Sequence, residues 1–161
     1  MTLLNNSVIK RLGIFCFYDK NGHAARFRDG FLAALTQNLT DLVIIVNGKI
    51  DDETRKLFSK YTDTVMVREN KGLDVAAYKQ ALLTIGWEKL ETYDEVLCLN
   101  DTIMGPVYPF DEMFETMSHR DVDFWGITAY AGETVNGEKI PTHLQAYWHA
   151  YRRDMVSSQA F

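Results

Sequence analysis

Short apolar runs, each stopped by a polar turn and followed by a stretch of helical period, recur along this chain. That alternation restricts the fold more than any other feature. Residues 12–18 (LGIFCFY) close on Asp19-Lys20-Asn21-Gly22, and residues 42–46 (LVIIV) on Asn47-Gly48. Residues 64–68 (TVMVR) lead to Asn70-Lys71-Gly72, and residues 95–99 (EVLCL) to Asn100-Asp101. Continuous apolar runs of this length read as strands buried on both faces. Between the first two, Ala24, Phe27, Phe31, Leu35 and Leu39 recur at helical spacing, with Arg26, Arg28 and Asp29 between them. This is the pattern of an amphipathic helix. Asp51 or Asp52 can cap a helix over 53–60 with Leu57 and Phe58 inward. Residues 74–85 predict a helix with Val75, Tyr78, Leu82 and Ile85 on one face, and residues 110–117 a short one with Asp111 at its positive end. Residues 122–130 (VDFWGITAY) read as a further strand, Asn136-Gly137 as a turn at a hairpin tip, and residues 143–158 as a closing aromatic-rich helix.

Strand–helix alternation of this kind predicts an α/β fold, a mainly parallel sheet with helices on both faces. The 161 residues show no internal repeat or linker and suit a single domain. Hydrophobic residues make up 47% and charged residues 24%, proportions that argue against disorder. A net charge of −5 gives no support to a nucleic-acid surface, which would be basic. No apolar run approaches the roughly 20 residues that span a bilayer, and the first residues lack the apolar stretch of a signal peptide. A cytoplasmic protein is therefore expected. Cys16 and Cys98 lie in apolar runs without zinc spacing and are expected as reduced core residues.

In open α/β sheets, ligands bind beyond the carboxyl ends of the strands. Asp19, Asn47, Asn70, Gly72, Asp74, Asn100 and Asp101 all follow predicted strands. Turn chemistry accounts for any one of these clusters alone. It does not require Asp101 directly after a buried strand, where a carboxylate can hold a hard cation shared with substrate phosphates. Neither GxxxxGK[ST] nor GxGxxG is present, so the edge is not a P-loop or a dinucleotide fingerprint.

Four segments carry a resemblance. ENKGLDVAAY, LNDTIMGP, DFWGIT and HLQAYWHAYRRDM, in that order, resemble the rhamnan synthesis protein F family, and the likeness covers roughly residues 11 to 161. DLVIIVNGKIDDETRKLF and DEVLCLNDTIMGPVYPFDEMF resemble the second strand and the metal-binding strand end of GT-A glycosyltransferases, with the acidic motif here Asn100-Asp101-Thr102. The resemblance implies a GT-A, Rossmann-like nucleotide-sugar-binding architecture, either a whole domain over 1–161 or its N-terminal donor-binding part. It implies rhamnosyl transfer from dTDP-rhamnose to a glycan or lipid-linked glycan acceptor of a bacterial cell-surface polysaccharide. Tyr18 and Asn47 would line the base and ribose side, and Asn70, Gly72 and Asp74 would contact nucleotide or sugar. Asp101 would bind Mg²⁺ or Mn²⁺, a Lewis acid for the leaving diphosphate. The catalytic base is not identified. Location would be cytoplasmic, with peripheral association at the inner face of the membrane.

His143 and Gln145, at the start of the expected last helix, are acceptor-side candidates for sugar hydroxyls, set against a plain surface or capping role. Trp125, Tyr130, Tyr147, Trp148 and Tyr151 read as core more readily than as a sugar-stacking wall. A competing function is a non-catalytic GT-A-like interaction module in polysaccharide assembly. A receiver-like domain would want an acidic pair after the first strand, where Asp19 stands alone.

Overall fold

Three parallel strands on one side of the molecule and a late antiparallel pair on the other make a six-stranded sheet around β4, in a computed structural model that describes residues 9–159 and 161. The N-terminal residues read above for a leader lie mostly outside that range. The chain runs β1 (Arg11–Asp19), α1 (Phe27–Thr36), β2 (Asp41–Gly48), α2 (Asp52–Phe58), β3 (Val65–Arg68), α3 (Leu73–Ile85), α4 (Trp87–Leu90), β4 (Glu95–Asn100) and α5 (Phe110–Ser118). Short elements follow: β5 (Phe124–Trp125), β6 (Ala129–Tyr130), β7 (Glu133–Val135), β8 (Glu138–Ile140), β9 (His143–Leu144), β10 (Trp148–Arg152) and α6 (Arg153–Val156). The sheet order is β3-β2-β1-β4-β10-β5. Strands β1 to β4 are mutually parallel, whereas β10 is antiparallel to β4 and to β5.

Side-chain alternation divides the core into two layers, since neighbours along a strand point to opposite faces. Phe15, Phe17, Ile44, Val46, Leu97, Leu99, Trp148 and Ala150 face α1, α2 and α5, against Phe31, Leu35, Phe58 and Phe114. Leu12, Ile14, Cys16, Val43, Ile45, Val96 and Cys98 face α3, α4 and α6, against Ala77, Tyr78, Ala81, Leu90 and Val156. Complete burial of a side chain such as Phe15 or Phe58 stabilises the fold by about 2–3 kcal/mol. The expected sheet covered on both faces is thus present.

Three expectations are corrected. Residues 143–158 are not a helix: β9, β10 and α6 occupy them, and Trp148 lies opposite Leu99 of β4. Tryptophan and alanine at 148 and 150 fill the α1-side layer, while His149 and Tyr151 point to the other face, so the segment satisfies a strand's period of two. Residues 122–130 do not form one strand. They break at Gly126, where a Cβ would lie 2.7 Å from the Trp148 carbonyl oxygen, and β6 leaves to pair with β9 in a separate small sheet. Val75 is exposed, because α3 meets the sheet through the small Ala77 and Ala81 beside Tyr78. The hairpin is as expected: β7 and β8 pair across Asn136 and Gly137, both at positive φ.

Candidate functional site at the β1–β4 crevice

Strands are added outward from β1 through β2 to β3, and the chain then returns to place β4 on the other side of β1. Helix α1 leaves the end of β1 on one face, and α3, which precedes β4, covers the opposite face. That reversal opens a crevice beyond the carboxyl ends of β1 and β4. Tyr18 and Asp19 end one strand, Asn100 and Asp101 the other, and Cys16 lies across from Asn100 in the register.

Asp101 is not free. Its Oδ2 accepts from Arg28 Nη2 at 2.9 Å, and the two side chains are only 12% and 11% exposed. The nearby backbone of Tyr18 also favours the ionised form of Asp101. Arg28 comes from the first turn of α1 and its guanidinium carbon sits 4.4 Å from the centre of the Phe27 ring. Nε and Nη1 of Arg28 are buried and have no hydrogen-bond partner among the described residues. Burial raises the pKa of Asp101 even though Arg28 pulls it down, and burial lowers that of Arg28 even though Asp101 pulls it up. Desolvation outweighs mutual attraction in both partners, the signature of an under-compensated buried pair.

The other edge residues are tied to one another. Asn100 Nδ2 donates to Asp74 Oδ2 at 2.9 Å, fixing the first turn of α3 against the end of β4. Asn47, 2% exposed, donates through Nδ2 to the Leu73 carbonyl at 3.1 Å and accepts at Oδ1 from Arg68 Nη1 at 2.5 Å. Arg68 Nη2 also holds the Lys71 carbonyl at 2.8 Å. Gly72 and Leu73 both adopt positive φ, +78° and +55°, at the cap and first residue of α3. A Cβ on Gly72 would approach Ala76 Cβ to 2.8 Å. For Leu73, 70% exposed, the left-handed conformation is strained, and Asn47 and Arg68 are the groups that hold it. Tyr18 is half exposed, and a Cβ on Gly48 would lie 3.9 Å from both the Tyr18 ring and Asn70 Cβ, so these two flank one glycine.

The structure therefore gathers Tyr18, Asn47, Asn70, Gly72, Asp74 and Asp101 along one edge. It does not bring His143 there. His143 lies on β9, with Nδ1 2.9 Å from the Pro141 carbonyl and its ring 5.2 Å from that of Tyr130. Gln145 donates its backbone N–H to the Thr128 carbonyl at 3.1 Å, in the turn before β10. Two residues later the Tyr147 carbonyl accepts from the Asn100 N–H at 3.2 Å, so that turn borders the crevice. Trp125 and Trp148 are core, 5% and 1% exposed. Arg28 and Arg68 escaped the sequence reading. In the sequence Arg28 reads as part of a polar helix face, and the signal that marks it is its position in the first turn after the β1 loop.

The arrangement does not fit a resident Mg²⁺ or Mn²⁺. Among the described residues no three His, Cys, Asp or Glu side chains come together as a ligand set. A hard cation leaning on one carboxylate and substrate phosphates would also have to displace Arg28 from Asp101.

The model of the family described as Rhamnan synthesis protein F matches residues 42–161, from β2 through β10 and α6, and so takes in Asn47, Asn70, Gly72, Asp74 and Asp101. Among curated proteins, the chain is similar to "Uncharacterized protein y4gN" of Sinorhizobium fredii (strain NBRC 101917 / NGR234). The two are 23% identical over 122 residues, which is 74% of this chain and 30% of that protein. The chain thus spans less than a third of that relative's length. With the family model matching well over half of its residues, the chain belongs to the rhamnan synthesis protein F family.

Proposed function

We propose that this chain is a glycosyltransferase domain of GT-A type that binds a nucleotide sugar, dTDP-rhamnose, in the β1–β4 crevice. It passes the sugar to a growing rhamnan-type glycan or its lipid-linked form. The observation that carries this reading is the convergence of Tyr18, Asn47, Asn70, Asp74 and Asp101 at the reversal of strand order, in a member of a rhamnan-synthesis family. The half-exposed Tyr18 ring offers a face for a base, and Asn70 beside it offers an amide. Asp74, oriented by Asn100 and by the Val75 N–H, offers a carboxylate to sugar hydroxyls. Displacement at the anomeric carbon further needs a base near the acceptor hydroxyl. No helix of the described residues is long and apolar enough to cross a membrane.

The ion pair that occupies Asp101 favours a second reading, a non-catalytic binding module in polysaccharide assembly. Calorimetric titration with dTDP, dTDP-rhamnose, UDP and GDP, followed by a dTDP-release assay with acceptor glycan, tests both. The enzyme reading expects tighter binding of dTDP than of UDP or GDP and release that depends on acceptor. Binding without release moves the chain to the second reading, and absence of nucleotide binding removes the donor site.

A further inference from the structure

We propose that Arg28 is the cation of this site: its guanidinium, with Asp101 as resting counter-ion, receives the donor's diphosphate in place of a divalent metal. The inference rests on the donor reading above and adds the group that meets the leaving charge.

Four observations converge on Arg28. It lies in the first turn of α1, the helix that follows β1, and contacts Asp101, the residue just after β4. Only Nη2 has a partner, while Nε and Nη1 are enclosed without one among the described residues. A charged donor left unmatched in a buried place is unfavourable, and an anionic oxygen relieves it. The Phe27 ring lies 4.4 Å from the guanidinium and steadies its plane. Finally, the carboxylate that would have served a metal is spent on holding this side chain.

A planar guanidinium suits phosphate oxygens better than any other side chain does. Before ligand arrives, Asp101 balances the charge of Arg28. A diphosphate brings its own negative charge, supplies acceptors to Nε and Nη1, and competes with Asp101 for Nη2. In transfer, the acceptor oxygen bonds to the anomeric carbon and its proton goes to the acceptor-side base. The electron pair of the broken carbon–oxygen bond passes to the β-phosphate oxygen, where the fixed positive charge of Arg28 stabilises it. Asp101 is a positioning residue here, and its carboxylate opposes binding.

That last point gives a test with opposite signs. Titrations of the full chain with dTDP and with inorganic pyrophosphate, in EDTA and in Mn²⁺, would compare the natural protein with Asp101→Asn and the double variant Arg28→Met/Asp101→Asn. The double variant removes both charges together, so no lone buried charge remains to unfold it, and its melting temperature is measured alongside. The proposal expects dTDP affinity in EDTA within about twofold of that in Mn²⁺, and tighter binding in Asp101→Asn. It expects a loss of about tenfold or more for both ligands in the double variant. Affinity that needs Mn²⁺ and falls in Asp101→Asn overturns the proposal while the donor reading stands. Should the double variant fail to fold, the sign of the Asp101→Asn change still decides. Arg28-dependent pyrophosphate binding with no preference among dTDP, UDP and GDP keeps Arg28 as the anion site and removes the dTDP donor instead. Failure of both ligands to bind the natural protein removes both.

Discussion

Trp125 Nε1 donates to Glu95 Oε2 at 2.8 Å, reaching across β10 to join the outermost strand to the start of β4. Glu95 is 1% exposed and also meets Arg11 Nε at 2.9 Å and Arg152 Nη1 at 3.3 Å. Donors from β1, β5 and β10 thus share one buried carboxylate. Removing one partner of such a set leaves charge buried and uncompensated, so Glu95→Ala should cost about 3–5 kcal/mol in urea-induced unfolding. Trp125→Phe keeps most of the packing and loses one bond to a charged acceptor, which should cost about 1.5–3 kcal/mol. Equal costs for the two variants would mean that Glu95 acts only through Trp125.

Stability should fall on the alkaline side through His23. Its Nδ1 lies 2.8 Å from Asp51 Oδ2, and that hydrogen bond raises its pKa above the ordinary 6.5. A raised folded-state value means the contribution is complete below 6.5 and fades as pH climbs through the raised value. Asp51 behaves oppositely. The Thr54 N–H first, and His23 second, hold it down at about 2, so its contribution is present above 3.8 and lost as pH falls toward 2. Melting temperatures across this range should therefore show a plateau between the two losses. His23→Gln should flatten the alkaline limb and leave most of the acid limb, which the Thr54 N–H sustains, in place.

Both cysteines should be silent in the native protein. Cys16 and Cys98 are buried free thiols, and burial pushes each up to about 12. The thiolate is the reactive form, so Ellman's reagent should find no fast-reacting thiol in the native chain and two once it is unfolded. Rapid labelling of one cysteine under native conditions would place that thiol at the surface, against the packing of β1 or β4.

The parallel strands were legible because burial on both faces demands unbroken apolar runs, and GIFCF, LVIIV and VLCL meet that demand. The site edge followed from them, since every strand ended in short polar residues. The last third was not legible for a different reason. In β10, the interval from Trp148 to Tyr151 imitates a helical turn, and Arg152 looks solvent-bound until Glu95 is brought beside it by the fold. Gly126 reads as a harmless residue in a strand, and only the Trp148 carbonyl opposite it explains why the strand stops there. Arg28 was hidden in the same way. It stands between Phe27 and Asp29 in a segment with Arg26, while its enclosure depends on Asp101, far along the chain.

The place of β10 carries a consequence for how the chain is made. Strand β4 has β1 on one side from the moment it forms, but its other side is completed only by Trp148–Arg152, a strand that comes much later in the chain. A nascent polypeptide emerging from the ribosome therefore holds a nearly finished parallel sheet whose newest strand still shows bare N–H and C=O groups. Such an edge is an invitation to intermolecular pairing. Synthesis of β10 seals it, so translation that stalls between β4 and β10 should yield aggregates rather than a smaller folded domain.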